Sequence, residues 1–177
     1  MPNAVPTKTT TGPAGAGDMF LSVKGATHGV INGESHDDKH KGEIEVLSWS
    51  WGIQGKPSIG GGGASGKATI RELRIVKHVD KASTALMGAV RTNELIKEAV
   101  LTIRKTGKTA LEYLKIKVEQ GRIMSLEIDA GDPGGGSALI ERISISFNKI
   151  EVEYTPQGGD GQAQGGTTFQ DQWGEAQ

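Results

Sequence analysis

Two runs near the C-terminal end of this chain constrain its fold more than any other feature. LEYLKIKVEQGRIMSLEID (111–129) and LIERISISFNKIEVEY (139–154) alternate apolar and polar residues far beyond the typical strand of about 5–6 residues. In the first, Leu114, Ile116 and Val118 face away from Lys115, Lys117 and Glu119, and the apolar series resumes after Gln120–Gly121 with Met124, Leu126 and Ile128. In the second, Ile143, Ile145 and Phe147 share one parity while Ile150, Val152 and Tyr154 take the other, so a one-residue slip falls near Asn148–Lys149. Strands of this length twist, and they bend at bulges or pass around a corner. Bent, bulged, amphipathic strands predict a mainly β domain, a small β-barrel of bent antiparallel strands.

The remaining segments fit that class. MFLSV (19–23) and EIEVLSWSWG (43–52) are further strand signals. In the second, Glu45, Leu47, Trp49 and Trp51 share one face, and Ile44, Val46, Ser48 and Ser50 share the other. Each face changes character partway, which predicts a strand covered on both sides or one that changes partner. KATIRELRIV (67–76) slips near Arg71–Glu72, as a bulge there would require. One flanking α-helix is predicted over DKASTALMGAVR (80–91), with Asp80 and Ser83 as cap candidates and Asn93 closing it; AVLTIRK (99–105) returns to strand. Residues 1–17, rich in Thr, Pro, Gly and Ala, read as a flexible N-terminal tail, 18–157 as the folded domain, and 158–177 as a Gly/Gln-rich C-terminal tail. Phe169 and Trp173 suit that last segment to docking an aromatic pair.

Composition narrows the function. A formal net charge of −1 gives no pull toward nucleic acid or anionic membrane, and no stretch approaches the apolar length of a membrane span. The absence of cysteine removes disulfides, thiolate metal sites and cysteine nucleophiles. The N-terminal residues lack the apolar core of a signal peptide, so the expectation is a chain made in the cytoplasm that, if exported, leaves without one.

Chemical motifs are few, and each fails on its own terms. Gly61, Gly66 and Lys67 have phosphate-loop spacing, but Ala68 stands where a hydroxyl would bind magnesium, and the loop precedes a strand rather than a helix. HDDKH (36–40) places two histidines four apart, yet Gly33 and Gly42 bracket it as a loop, and no third ligand clusters with them. His28 and His78 are isolated, Glu151 and Glu153 read as a solvated strand face, and no serine sits in a nucleophile elbow. The expectation is no enzyme, no metal and no cofactor. Three polar parities need a wet face: Ser48 and Ser50; Lys115, Lys117 and Glu119; Ser144 and Ser146. Ser50, beside the two tryptophans, is the first candidate for a functional lining.

Taken in order, GESHDDKHKGEIEVLSWSWG (33–52), GGGGASGK (60–67), the Asp80–Met87 segment, LTIRKTG (101–107), YLKIKV (113–118) and ISFNKIEVEYTPQ (145–157) closely resemble the haemolysin-coregulated protein (Hcp) family, the tube proteins of bacterial type VI secretion systems. The resemblance covers roughly residues 18–157. It implies a β-barrel with a flanking helix that forms hexameric rings. These would stack into a secreted tube, tipped by a spike protein, driven by a contractile sheath and able to hold effector proteins in its lumen. Ser48 and Ser50 would then face the lumen, and the side-chain-free run Gly60, Gly61, Gly62, Gly63 and Gly66 would lie at a subunit interface. A phage tail-tube protein is the nearest alternative, followed by a ligand-binding barrel.

Overall fold

The computed structural model describes residues 17–55, 68–105, 110–130 and 138–173. Twelve strands and one helix follow in order: β1 Asp18–Gly25, β2 Gly29–Ile31, β3 Ile44–Glu45, β4 Ser48–Ser50, β5 Ile53–Gln54, β6 Thr69–Ile70, β7 Leu73–His78, α1 Ser83–Arg91, β8 Ile96–Arg104, β9 Glu112–Asp129, β10 Ile140–Ser146, β11 Lys149–Tyr154 and β12 Thr167–Gln172. All the pairings are antiparallel.

The two long alternating runs are partners. β9 pairs with β11 from Leu114 to Glu119 and with β10 from Arg122 to Asp129, so 140–154 runs back along nearly all of it. Both turn the same corner. On β9 it lies at Gln120, in the left-handed region at φ 55°, and Gly121, where a Cβ would sit 2.3 Å from the Ser146 carbonyl oxygen. On the other run it lies at Phe147–Asn148, where the expected slip separates β10 from β11 and the Asn148 N–H donates to the Glu119 carbonyl. The corner divides the sheet into a half built on β1, β8, β11, β12 and the first part of β9, and a half built on β4, β7, β10 and the second part.

The predicted barrel is not closed. One hydrogen-bonded path runs β2-β1-β8-β9-β10-β7-β4, with β3 on the free side of β1. β3 and β4 belong to one short run that changes partner: Ile44 and Glu45 pair with β1, Ser48 to Ser50 with β7. Between them the Val46 N–H donates to Met19 and the Leu47 N–H to Val76. The chain crosses the seam; no ladder among the described residues seals it. The buried parity switches with the partner, from Ile44 and Val46 to the half-buried Trp49 and Trp51. Likewise the slip at Arg71–Glu72 is a break rather than a bulge, since β6 pairs with β5 and β7 with β4 and β10.

Apolar residues from both halves fill one core, including Leu21, Val23, Leu73, Ile75, Leu101, Ile116, Val118, Ile143, Ile145 and Ile150. Helix α1 adds Leu86 and Ala89 to it. Asp80 acts just before the helix, accepting the Ala82 N–H at 3.0 Å, while Ser83 Oγ accepts the Asp80 N–H. On β9 the inward residue past the corner is Ile123. Met124, expected inside, is the extra residue of a bulge and is exposed. Trp173, just after β12, packs its ring against Phe147 in a tilted arrangement, centroids 5.6 Å apart, and joins the core edge.

Candidate functional site

The candidate site lies on the polar face of the β4-β7-β10-β9 half. Alternation turns Leu73, Ile75 and Lys77 of β7 inward, leaving Arg74 and His78 exposed and Val76 beside them. Register then lines up residues that are far apart in the chain. One row reads Ser50, Arg74, Ser144, Ser125; the next reads Ser48, Val76, Arg142, Glu127. Neighbours in a row are about 4.8 Å apart, the inter-strand spacing. Together the two rows line an open groove of about 430 Å³. Ser125 and Ser144 satisfy each other at 2.8 Å, and Arg142 is paired with Asp129. The face is therefore built of short hydroxyls with a few charged side chains among them. Such a surface can lie close to another polypeptide without demanding one sequence from it.

Ser48 and Ser50 sit together at the β4 edge of this groove, both exposed. Ser144 also lines the groove but is buried, its hydroxyl held by Ser125, and Ser146 instead donates to the Arg122 carbonyl at 3.3 Å. Lys115, Lys117 and Glu119 belong to the other half. There Lys117 meets Glu98 at 3.1 Å and Lys149 meets Glu119 at 2.7 Å, an ion-paired lattice across β8, β9 and β11. The Glu98 carboxylate, with Glu119 and Glu151 nearby, raises the Lys117 ammonium; Lys149, then Lys117, holds Glu119 below its ordinary value. Arg74, Ser125, Glu127 and Arg142 were not singled out from the sequence. Their parity was visible in it, but their shared groove depends on register.

The remaining motifs have structural partners. Asp37 of HDDKH takes two hydrogen bonds from Arg104, at 3.0 and 2.6 Å, and also accepts the Lys39 and His40 N–H groups. The Arg104 guanidinium is the largest cause holding this carboxyl down at about 2. His28 is bound through Nδ1 to the buried Glu94 carboxylate, which also accepts the Thr27 and His28 N–H groups. Glu151 accepts Gln170 Nε2 at 2.8 Å on the outer face. Among the described residues, no group of three or more His, Cys, Asp or Glu side chains is placed to hold a metal. No helix among them is long and apolar enough to cross a membrane. Gly60–Gly66 and Lys67 lie outside the described residues.

Comparison with known proteins assigns the family. The model of the family described as "Type VI secretion system effector, Hcp" matches residues 20–154. The chain belongs to the Hcp family. It is 38% identical over 152 residues to protein hcp1 of Pseudomonas aeruginosa, covering 84% of this chain and 90% of that one. Hcp1 from Salmonella typhimurium superposes with a TM-score of 0.69 at 32% identity, covering 89% and 94% of the two chains. A type VI secretion system effector from Yersinia pestis gives 0.68 at 28%, covering 88% and 100%. This Hcp chain is thus a type VI secretion tube protein, a structural component of that system.

Proposed function

We propose that this Hcp chain assembles into hexameric rings, that the rings stack into the tube, and that the Ser50–Arg74–Ser144–Ser125 face lines the lumen and holds effector proteins. The tube would bear a spike protein at its tip and be expelled by the contractile sheath, leaving the cell through that apparatus. One observation carries the assignment of the lining. Of the two polar faces, that of the β4 half opens a groove edged by the exposed Ser48 and Ser50 and by Arg74, which has no ion pair among the described residues, whereas that of the β8-β9-β11 half uses its charges on one another. The first has contacts to offer a passenger; the second is suited to water or to other parts of the machine. The glycines Gly60, Gly61, Gly62, Gly63 and Gly66, between β5 and β6, are assigned to contact with a neighbouring subunit, where missing side chains permit close backbone approach.

The test is Ser50→Gln. Ser50 is exposed at the groove edge, so rings should form unchanged by native mass and electron microscopy, while the longer side chain reduces retention of co-expressed effectors. Intact rings with undiminished retention would move the lining to another face. Rings that fail to form would place Ser50 at an interface instead.

A further inference from the structure

We propose that the buried pair Lys77–Glu141 fixes the register of β7 along β10, with Glu141 as the positioning residue that sets Arg74 beside Ser144 in the groove. No turn joins these two strands, because α1, β8 and β9 lie between them in the chain. A hairpin loop therefore cannot set their register, and the choice falls to side chains. On the inward parity Leu73, Ile75 and Lys77 of β7 meet Ile145, Ile143 and Glu141 of β10.

A slip of one residue would turn the apolar set to the wrong face, but a slip of two keeps every parity. In one direction Ile75 would then meet Ile145, and Leu73 would meet Phe147; in the other, Leu73 would meet Ile143. These contacts are as apolar as the native ones, so the apolar residues discriminate poorly among the three registers. The outward face would change with a slip. Arg74 would leave Ser144 for Ser146, or for the like-charged Arg142.

The charged pair does discriminate. Lys77 and Glu141 are both fully buried, with Lys77 Nζ 3.4 Å from Glu141 Oε2. Lys77 also reaches Asp80 Oδ1 at 2.7 Å, the His78 carbonyl at 2.8 Å and the Ser83 hydroxyl at 3.2 Å. Those three partners follow closely in the chain and travel with β7 in a slip. Glu141 has no such reserve, since neither of its carboxylate oxygens accepts a hydrogen bond among the described residues. The two slips would set it opposite Val79 or Ile75, leaving a buried polar group without its partner. That cost falls on both slipped registers and spares the native one.

The chain has no cysteine, so paired cysteine substitutions report the register. The Val79 N–H donates to the Leu139 carbonyl, and alternation from there makes Arg74 and Ser144 a non-hydrogen-bonded pair, about 4.5 Å apart at Cα and within disulfide range. Ser146 and Arg142 are diagonal to Arg74, at about 7–8 Å and beyond that range. Full-length chains carrying Arg74→Cys with Ser144→Cys, Ser146→Cys or Arg142→Cys are equilibrated in a glutathione buffer, and closure within one chain is read by mass. With Glu141 present, only the 74/144 pair should close. Glu141→Met should raise closure of 74/146 or 74/142 at least about tenfold, the ratio set by one buried unpartnered polar group. Glu141→Gln, which can still accept from Lys77, should keep the native pattern. If Glu141→Met does not fold, Lys77→Met/Glu141→Leu supplies the apolar background, with both buried charges removed. Closure confined to 74/144 in the folded apolar background would overturn the proposal, as would slipped closure in Glu141→Gln. No readout here depends on ring assembly or cargo, so this inference and the proposed function fail separately.

Discussion

Gln120 and Gly121 show how much two adjacent residues decide. Left-handed backbone costs a residue with a Cβ roughly 1–2 kcal/mol, and Gln120 adopts it at φ 55° because β9 must leave one half of the sheet and enter the other. Gln120→Gly should therefore raise stability, by up to about 1 kcal/mol after the unfolded chain's added freedom is subtracted. Gly121→Ala should do the opposite. Its Cβ would meet backbone, the Ser146 carbonyl, at 2.3 Å, and a strand must shift to admit it, at about 1–3 kcal/mol. Urea unfolding of both variants checks the pair. Equal, small effects would mean that the corner is looser than its geometry implies.

Among the elements, β12 depends most on what it packs against. All six of its residues are exposed and, among the described strands, it pairs with β11 alone, so ladder bonds are its main hold until the chain reaches Trp173. There the indole meets Phe147 at 5.6 Å and the Trp173 N–H donates to the Asn148 carbonyl at 3.1 Å, tying the end of β12 to the corner. Trp173→Ala should cost about 1–3 kcal/mol, below the figure for a fully buried tryptophan because this one is half-buried. Exchange at Phe169 and Asp171, whose N–H groups face β11, should quicken before any change in β8 or β9. A variant that lost stability evenly across the sheet would show that β12 is part of one cooperative unit.

At the scale of the whole molecule, the carboxylates govern behaviour in acid. Burial alone would push the Glu94 carboxyl up, but the His28 and Thr27 N–H groups and the His28 ring hold it below its ordinary value. Lys149 does the same for Glu119, and Arg104 holds Asp37 at about 2 against 3.8. Groups depressed in the folded state stabilise it above their unfolded values, and that contribution disappears as pH falls through the folded ones. Stability should be level between about pH 5 and neutrality and decline steadily from about pH 4 toward 2. Asp37→Asn should remove part of that slope in thermal melts; an unchanged slope would mean that the Arg104 pair is equally formed in the unfolded chain. Assembly is the other property at this scale. Removing three residues from Gly60–Gly66 should leave the far-UV spectrum intact and weaken ring or tube formation. Normal rings at ordinary concentrations would make the run a simple connector.

Alternation determined that the chain is mainly β, that its last two runs are long bent strands and where the slips fall, at Arg71–Glu72 and Asn148–Lys149; helical spacing and cap residues determined that one helix precedes β8. Those are local properties, since side-chain parity and turn residues act over a few positions. The tertiary structure decided which strands are neighbours. Nothing in RELRIVK states that Arg74 will lie beside Ser50 on one side and Ser144 on the other, because pairing partners are chosen by the packing of the whole sheet. The same holds for the seam, left open because 44–50 is shared between β1 and β7, and for Lys77 and Glu141. Those two charged residues lie on the inward parity of β7 and β10 and are fully buried. Sequence marks them only as polar; their positions become tolerable because Lys77 Nζ reaches Asp80 at 2.7 Å and Glu141 at 3.4 Å, and that requires β7, β10 and the start of α1 to be assembled together.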